Sequence, residues 1–182
     1  MTGSGKSTLA RRLGTALGLP VIELDAIHWQ RPNWEMPPAE EFQENVRSAL
    51  AACPDGWVID GNYHPVRNAI LAQADTVVWL RYPWRTTFWR VFKRTVTRAL
   101  RKDLLWGTNR ESWRLSFFDK NSLLLYSISH HRASSRSIAL SLAEVRHSAE
   151  VFVVRGSGEL EAAVAGLTEE AVYPPKQATP TG

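Results

Sequence analysis

An α/β fold, a parallel sheet covered by helices on both faces, is predicted by three observations. Short apolar runs rich in β-branched residues alternate with longer segments of helical period. Two of those runs lead into aspartates, Asp25 and Asp60. A glycine-rich turn, Thr2-Gly3-Ser4-Gly5-Lys6-Ser7-Thr8, opens the first helical segment. Strands that alternate with helices need crossovers, and crossovers place the helices on the sheet faces.

Beyond Lys6, Leu9, Leu13 and Leu17 recur every four residues and give one apolar helix face, ended by Gly18 and Pro20. Val21 to Leu24 reads as a strand ending at Asp25. A loop rich in Pro and Trp follows. Pro37 and Pro38 then open a helix whose first turn carries Glu40 and Glu41, where carboxylates suit the helix dipole. Its apolar face is Phe42, Val46, Ala49 and Leu50.

Pro54-Asp55-Gly56 is a turn signal, and Trp57 to Ile59 is a second strand ending at Asp60-Gly61. Val66 and Ile70 mark a short helix before a third strand, Thr76 to Leu80. Trp84, Phe88, Phe92, Val96 and Leu100 then form a helical stripe. Arg90, Arg94, Arg98 and Lys102 form a parallel row about 200° round the same helix. Residues 104–127 have no clear period. Residues near 129–147 read as helix, Val151 to Val154 as the last strand, and Glu159 to Leu167 as the last helix. The tail from Thr168 has nothing to bury and is expected to be disordered.

The 182 residues fit one domain, and 44% hydrophobic with 22% charged residues is an ordinary globular composition. A single cysteine, Cys53, excludes an internal disulfide framework and a cysteine-based zinc cluster. No stretch approaches the roughly 20 apolar residues of a membrane-spanning helix, and MTGSGKST lacks a signal-peptide core. A soluble, cytoplasmic protein without membrane partners is the expectation. Charge is unevenly spread. Between Arg81 and Arg114 there are ten Lys/Arg and two acids, Asp103 and Glu111, so one segment is suited to meet anions.

The glycine-rich turn carries the clearest chemistry. Gly3 and Gly5 let the backbone bend so that the N–H groups from Gly3 to Thr8 converge on one phosphate, and the helix N-terminus adds partial positive charge. Lys6 would reach the β- and γ-phosphates of ATP, and the Ser7 hydroxyl would ligate Mg²⁺. A plain Gly/Ser turn is the competing reading, disfavoured by a strand-loop-helix junction at this place. The full phosphate-loop pattern calls for a further glycine and a preceding strand. About five buried residues in such a strand would contribute about 7–15 kcal/mol of burial, comparable with the net stability of a domain. The expectation is therefore that the written start is internal and that an apolar strand ending in Gly precedes it.

TGSGKSTLARRL, IELDAIHW, WVIDGNY, VVWLRYP, GTNRESW and VFVVRGSGELEAAV together resemble a bacterial P-loop family similar to adenylate kinase. Its members are often labelled DNA topology modulation proteins or AAA-type ATPases. The resemblance covers residues 1–167. It implies a P-loop NTPase fold with a five-stranded parallel sheet, whose first strand is absent from the written sequence. It also implies one kinase-like domain over 1–167, with an acceptor-binding insert at about 26–53, a lid at about 104–127, and the tail 168–182 outside it.

Asp25 and Asp60 stand at strand ends, where open α/β sheets bind ligands. The resemblance implies that such acids bind an acceptor hydroxyl or assist Mg²⁺, Asp60 in the manner of a Walker-B acid. A turn or N-cap role is the alternative. His28 reads as an incidental loop histidine, and Trp29 and Trp34 as loop packing rather than ring stacking. Asn62 and Tyr63 position either chain or acceptor. The Arg90-to-Lys102 row costs about 1 kcal/mol in like-charge neighbours, tolerable on a solvated face. The resemblance instead implies lid-hinge arginines that neutralise the transferring phosphoryl group. Arg94 and Arg98 fit that place best, with Arg132 and Arg136 beyond the lid and Arg110 and Arg114 within it.

The leading expectation is an ATP- and Mg²⁺-dependent kinase acting on a small-molecule or nucleotide acceptor. Lys6, Asp25, Asp60, Arg94, Arg98 and Arg132 are its catalytic candidates, with Ser7 and Asp60 on the metal. The second is a nucleic-acid-associated ATPase using the basic segment, and the third an inactive fragment.

Overall fold

In the computed structural model of the protein, the structure describes residues 3–32, 35–101, 104–105, 109–110, 131–145 and 148–172. Gly3 and Gly5 take φ of 77° and 89°, a left-handed backbone that a Cβ would strain. Through them the chain turns into α1, Lys6–Leu17, whose Leu9, Ala10 and Leu13 are buried as the four-residue spacing predicts.

Strand β1, Val21–Glu23, is shorter than expected, and Leu24–His28 form a small helix, α2. Asp25 therefore sits in the first turn of a helix rather than at a strand end. Leu24 is fully buried and anchors that turn against the core, so the chain coils instead of extending. Ala39–Ala51 form α3, with Phe42, Val46 and Leu50 buried, and Pro38 stands at its N-cap. Strand β2, Val58–Asp60, and helix α4, His64–Leu71, follow. Next come β3, Thr76–Leu80, and α5, Trp84–Arg101. Two-residue strands β4, Leu104–Leu105, and β5, Asn109–Arg110, pair antiparallel in the segment expected to be a lid. Residues 111–130 of that segment lie outside the described residues.

Helix α6, His131–Val145, strand β6, Glu150–Val154, and helix α7, Ser157–Val172, complete the order. Helix α7 runs five residues past the expected boundary. Thr168 lies within this helix, its hydroxyl donating to the Val164 carbonyl at 2.9 Å, so the expected disorder from Thr168 gives way to helix up to Val172. Residues 173–182 lie outside the described residues.

Parallel pairing is as expected, but the strands do not form one sheet. Among the described residues, β1 pairs only with β2, Glu23 opposite Asp60, and β3 pairs only with β6, Leu80 opposite Val154. The core divides the same way. Ile22, Phe42, Val46 and Ile70 pack around the first pair, and Leu9, Leu13, Leu80 and Val154 around the second. Helix α1 touches β1, β2 and α7, and so bridges the two halves. Asp60 and Leu80, the last residues of β2 and β3, line the same cavity as Ser4 and Lys6 of the glycine turn, and the carboxyl edge is where parallel α/β sheets place their ligands.

Candidate active site

The site is built where α1 begins and where β2 ends. Ser4 is 2% exposed at the centre of the turn, so its position is fixed by packing. A Cβ on Gly3 would stand 2.5 Å from the Val91 side chain and 2.7 Å from the Thr87 carbonyl, so α5 closes directly over the turn. Lys6 starts α1 half-buried, with Ser7 and Thr8 exposed beside it.

Arg90 lies on the α5 face that meets this turn. One guanidinium nitrogen is 3.4 Å from the Ser4 carbonyl, and the group stacks over the Tyr82 ring at 4.6 Å. Sequence reasoning placed Arg90 in the basic row but favoured Arg94 and Arg98. The signal that separates them is packing: Arg90 follows Thr87 by one helical turn, and Thr87 is the residue against Gly3. The side chains of Arg94, Arg98 and Arg132 lie outside the described residues, as do those of Lys102, Arg110 and Arg114.

Asp60 ends β2 as expected and is 8% exposed. Its Oδ1 is buried with no hydrogen-bond partner among the described residues, a costly arrangement for a carboxylate oxygen. Gly61 follows with φ of 143°, and a Cβ there would stand 2.6 Å from the Leu24 Cβ. That close approach holds α2, and with it Asp25, against the end of β2. Gly61→Ala is expected to lower stability by about 1–3 kcal/mol through backbone strain and displacement of Leu24. A urea-midpoint comparison checks it.

Asp25 and Tyr63 are brought together across 38 residues. The Tyr63 hydroxyl donates to Asp25 Oδ1 at 2.7 Å, and the Trp29 side chain hydrogen-bonds the same hydroxyl. Burial pushes the Tyr63 phenol far above its ordinary range, and the bond to Asp25 and the Asp25 charge add to it. Tyr63 is therefore a neutral donor at every physiological pH. Trp34 lies outside the described residues.

His28 packs among Trp29, Phe42 and Tyr63 with ring centroids 4.5–4.8 Å away, and its Nδ1 has no partner among the described residues. It is a packed aromatic-cluster residue rather than an incidental loop histidine. Burial lowers its pKa, outweighing the nearby Asp25 charge. The unfolded chain then binds a proton as pH falls through about 6.5 while the folded chain does not, so stability falls with pH below that point. His28→Gln is expected to flatten the decline between about pH 7 and 5.5, read as the difference between the two urea midpoints.

Arg67, which the sequence reading did not single out, faces the same region. Its Nε donates to Asn62 Oδ1 at 2.7 Å and an Nη to Ser137 Oγ at 2.8 Å. Among the described residues no carboxylate pairs with it, and burial lowers its pKa. Asn62 thus positions chain, one of its two expected roles. Arg136 shares with Arg67 a second cavity of about 440 Å³, lined also by His64, Ser137, Ser141 and Glu144.

The glycine turn, with two left-handed glycines leading into Lys6, Ser7 and a helix N-terminus, fits a triphosphate, and the Asp60 oxygen without a partner among the described residues fits a cation held beside it. No group of three or more metal-binding side chains occurs among the described residues, as suits an ion bound largely through phosphates and water. No helix among the described residues is long and apolar enough to cross a membrane.

Comparison with known families matches the chain to shikimate kinase over residues 2–146. Comparison with curated proteins and with solved structures gives no match. The match supports the P-loop-kinase content of the resemblance and leaves the DNA-topology label and the nucleic-acid reading without support. Kinases of this kind use ATP with Mg²⁺ and phosphorylate a small-molecule acceptor. With most of its length matched, and a phosphate loop, an acid-ended strand and a parallel α/β framework in place, the chain belongs to the shikimate kinase family.

Proposed function

We propose that the chain moves the γ-phosphoryl group of ATP to a hydroxyl of a small, anionic acceptor held between α2, the end of β2 and α4. The observation that carries this reading is Arg67. It is a partly desolvated guanidinium whose partners among the described residues are neutral, and it lines the same cavity as Asp60. An anionic group on the acceptor would supply the counter-charge that no described residue gives it.

The turn amides and Lys6 bind the donor phosphates, and Arg90 reaches the turn from α5. Ser7 and Asp60 would hold Mg²⁺, which when bound would supply positive charge to the phosphates. Asp25 accepts a hydrogen bond from the acceptor hydroxyl and takes its proton as the phosphorus–oxygen bond forms. Tyr63 is a positioning residue: by donating to Oδ1 it leaves Oδ2 to face the acceptor. Closure of the segment between α5 and α6 excludes water, and Arg94, Arg98 and Arg132, at its two ends, add positive charge there.

An acceptor panel tests the proposal, with ADP release as the readout. It contains shikimate, other hydroxylated carboxylates, nucleoside monophosphates and neutral sugars. Stimulation by an anionic member, with KM raised about tenfold or more in Arg67→Ala and kcat less affected, is the expected result. Stimulation by neutral sugars alone, or an unchanged KM in the variant, overturns it.

A further inference from the structure

Helix α5 has an outer side that the candidate site does not use. Thr87 and Val91 are 3% and 0% exposed and meet Gly3. Trp89 stands two positions from each, about 200° round the helix, so it crests the side turned away from the body. Trp89 is 57% exposed and Trp84 46%. Half-buried Phe88 and Phe92 join them into one run of rings, with neighbouring centroids 5.7–6.4 Å apart. Apolar side chains scattered singly over a surface are ordinary, whereas a contiguous aromatic run marks a contact surface. Arg85 and Lys93 lie four residues before and after Trp89, on the same ridge, and both are exposed. Among the described residues no carboxylate pairs with either. Residues 81–102 carry eight Lys/Arg and no acid, so nothing along this stretch of chain offsets the charge.

We infer that the outer side of α5 docks on the surface of an anionic lipid bilayer, with the helix lying in the plane of the headgroups. Charge complementarity argues for the occupant: unpaired cations on the ridge meet lipid phosphates and carboxylates, and the neighbouring rings enter the boundary between headgroups and acyl chains. Tryptophan suits that boundary because its ring is apolar and its N–H still finds a partner in the wet headgroup layer. The contact is a surface one, since no helix among the described residues can cross a membrane. Partner helices are held in grooves, and α5 offers a ridge. Nucleic-acid bases need open ring faces to stack on. Here the Arg85 guanidinium lies over the Trp84 ring at 5.8 Å, and Trp89 meets Phe88 and Phe92 at 71° and 87°, so the rings pack on one another instead. Docking through this side leaves the contact of Thr87 and Val91 with Gly3 undisturbed.

The test is sedimentation with vesicles of phosphatidylcholine alone and of phosphatidylcholine with about one third phosphatidylserine, at low salt and at about 0.5 M salt. The parent is expected to bind the mixed vesicles about tenfold or more tightly than the neutral ones, and to lose most of that binding at the higher salt. Arg85→Gln combined with Lys93→Gln is expected to weaken binding about twentyfold, at about fivefold for each lost charge. Trp89→Ala is expected to weaken it about tenfold. Brominated acyl chains in the mixed vesicles locate the contact by quenching tryptophan emission. Trp84→Phe with Trp89→Phe keeps an apolar face and is expected to stay bound while losing about half or more of the quenching seen in the parent. Tm and affinity for an ATP analogue are expected to be unchanged in every variant, which separates this outcome from any failure of the phosphoryl-transfer reading. No sedimentation with mixed vesicles overturns the proposal, as does binding that the variants retain in full, which places the contact elsewhere. Tighter binding to a single-stranded oligonucleotide than to vesicles of equal phosphate content overturns it in favour of nucleic acid. A dimer in sedimentation equilibrium that Trp89→Ala dissociates overturns it in favour of a second copy.

Discussion

Lys6→Ala is expected to lower ATP-dependent phosphoryl transfer by about 10²–10⁴-fold while leaving the fold intact. Lys6 opens α1 at its half-buried N-terminus, where the helix dipole and the turn amides already concentrate positive potential. In the proposed reaction its ammonium meets the charge that grows on the γ-phosphoryl oxygens as the bond to the β-phosphate stretches, so its loss would fall on the transition state more than on the ground state. Helix propensity favours alanine at this position, so thermal stability is expected to hold or rise. Lys6→Arg keeps the charge but presents a broad planar fork in place of a compact ammonium, and is expected to recover little of the activity. Parallel measurement of kcat and Tm separates loss of chemistry from loss of fold.

Asp60→Asn is expected to cost about 10²–10³-fold in turnover with stability unchanged or improved. The carboxylate is buried and one of its oxygens has no hydrogen bond, so its neutral isostere relieves a desolvated charge in the resting protein. A structural aspartate at a strand end would behave in the opposite way, since its removal would strand hydrogen-bond donors. The diagnostic result is therefore the combination: Tm at or above the parent value and turnover strongly reduced, with the Mg²⁺ concentration for half-maximal activity raised. A fall in Tm together with preserved turnover would assign Asp60 to the fold.

Much of this site was legible because local chemistry carried it. A run of Gly3, Gly5, Lys6 and Ser7 ahead of a four-residue leucine repeat specifies turn and helix within one short window. Asp60 was legible for the same reason, since a β-branched run followed by Asp-Gly marks a strand end in a single stretch. Asp25 was harder. Its strand-like neighbours Val21 and Ile22 suggested continued extension, but the buried Leu24 packs beneath Gly61 and coils the chain a residue earlier. That contact spans 37 residues of sequence, beyond the reach of any periodicity. Arg67 and Arg90 were hidden for a related reason. Each is one basic residue among many until tertiary packing sets it against Asn62 and Ser137, or against the Ser4 carbonyl. The lid arginines were placed by resemblance alone, and the side chains that would test that placement fall outside the described residues.

Titration of the protein and of Lys6→Ala with a slowly hydrolysed ATP analogue in the presence of Mg²⁺, followed by calorimetry, is the most direct measurement of whether the glycine turn is a phosphate site. Saturable one-to-one binding by the parent, weakened about tenfold or more in the variant and dependent on Mg²⁺, is the expected result. Equal affinity in both proteins, with or without the metal, would contradict it.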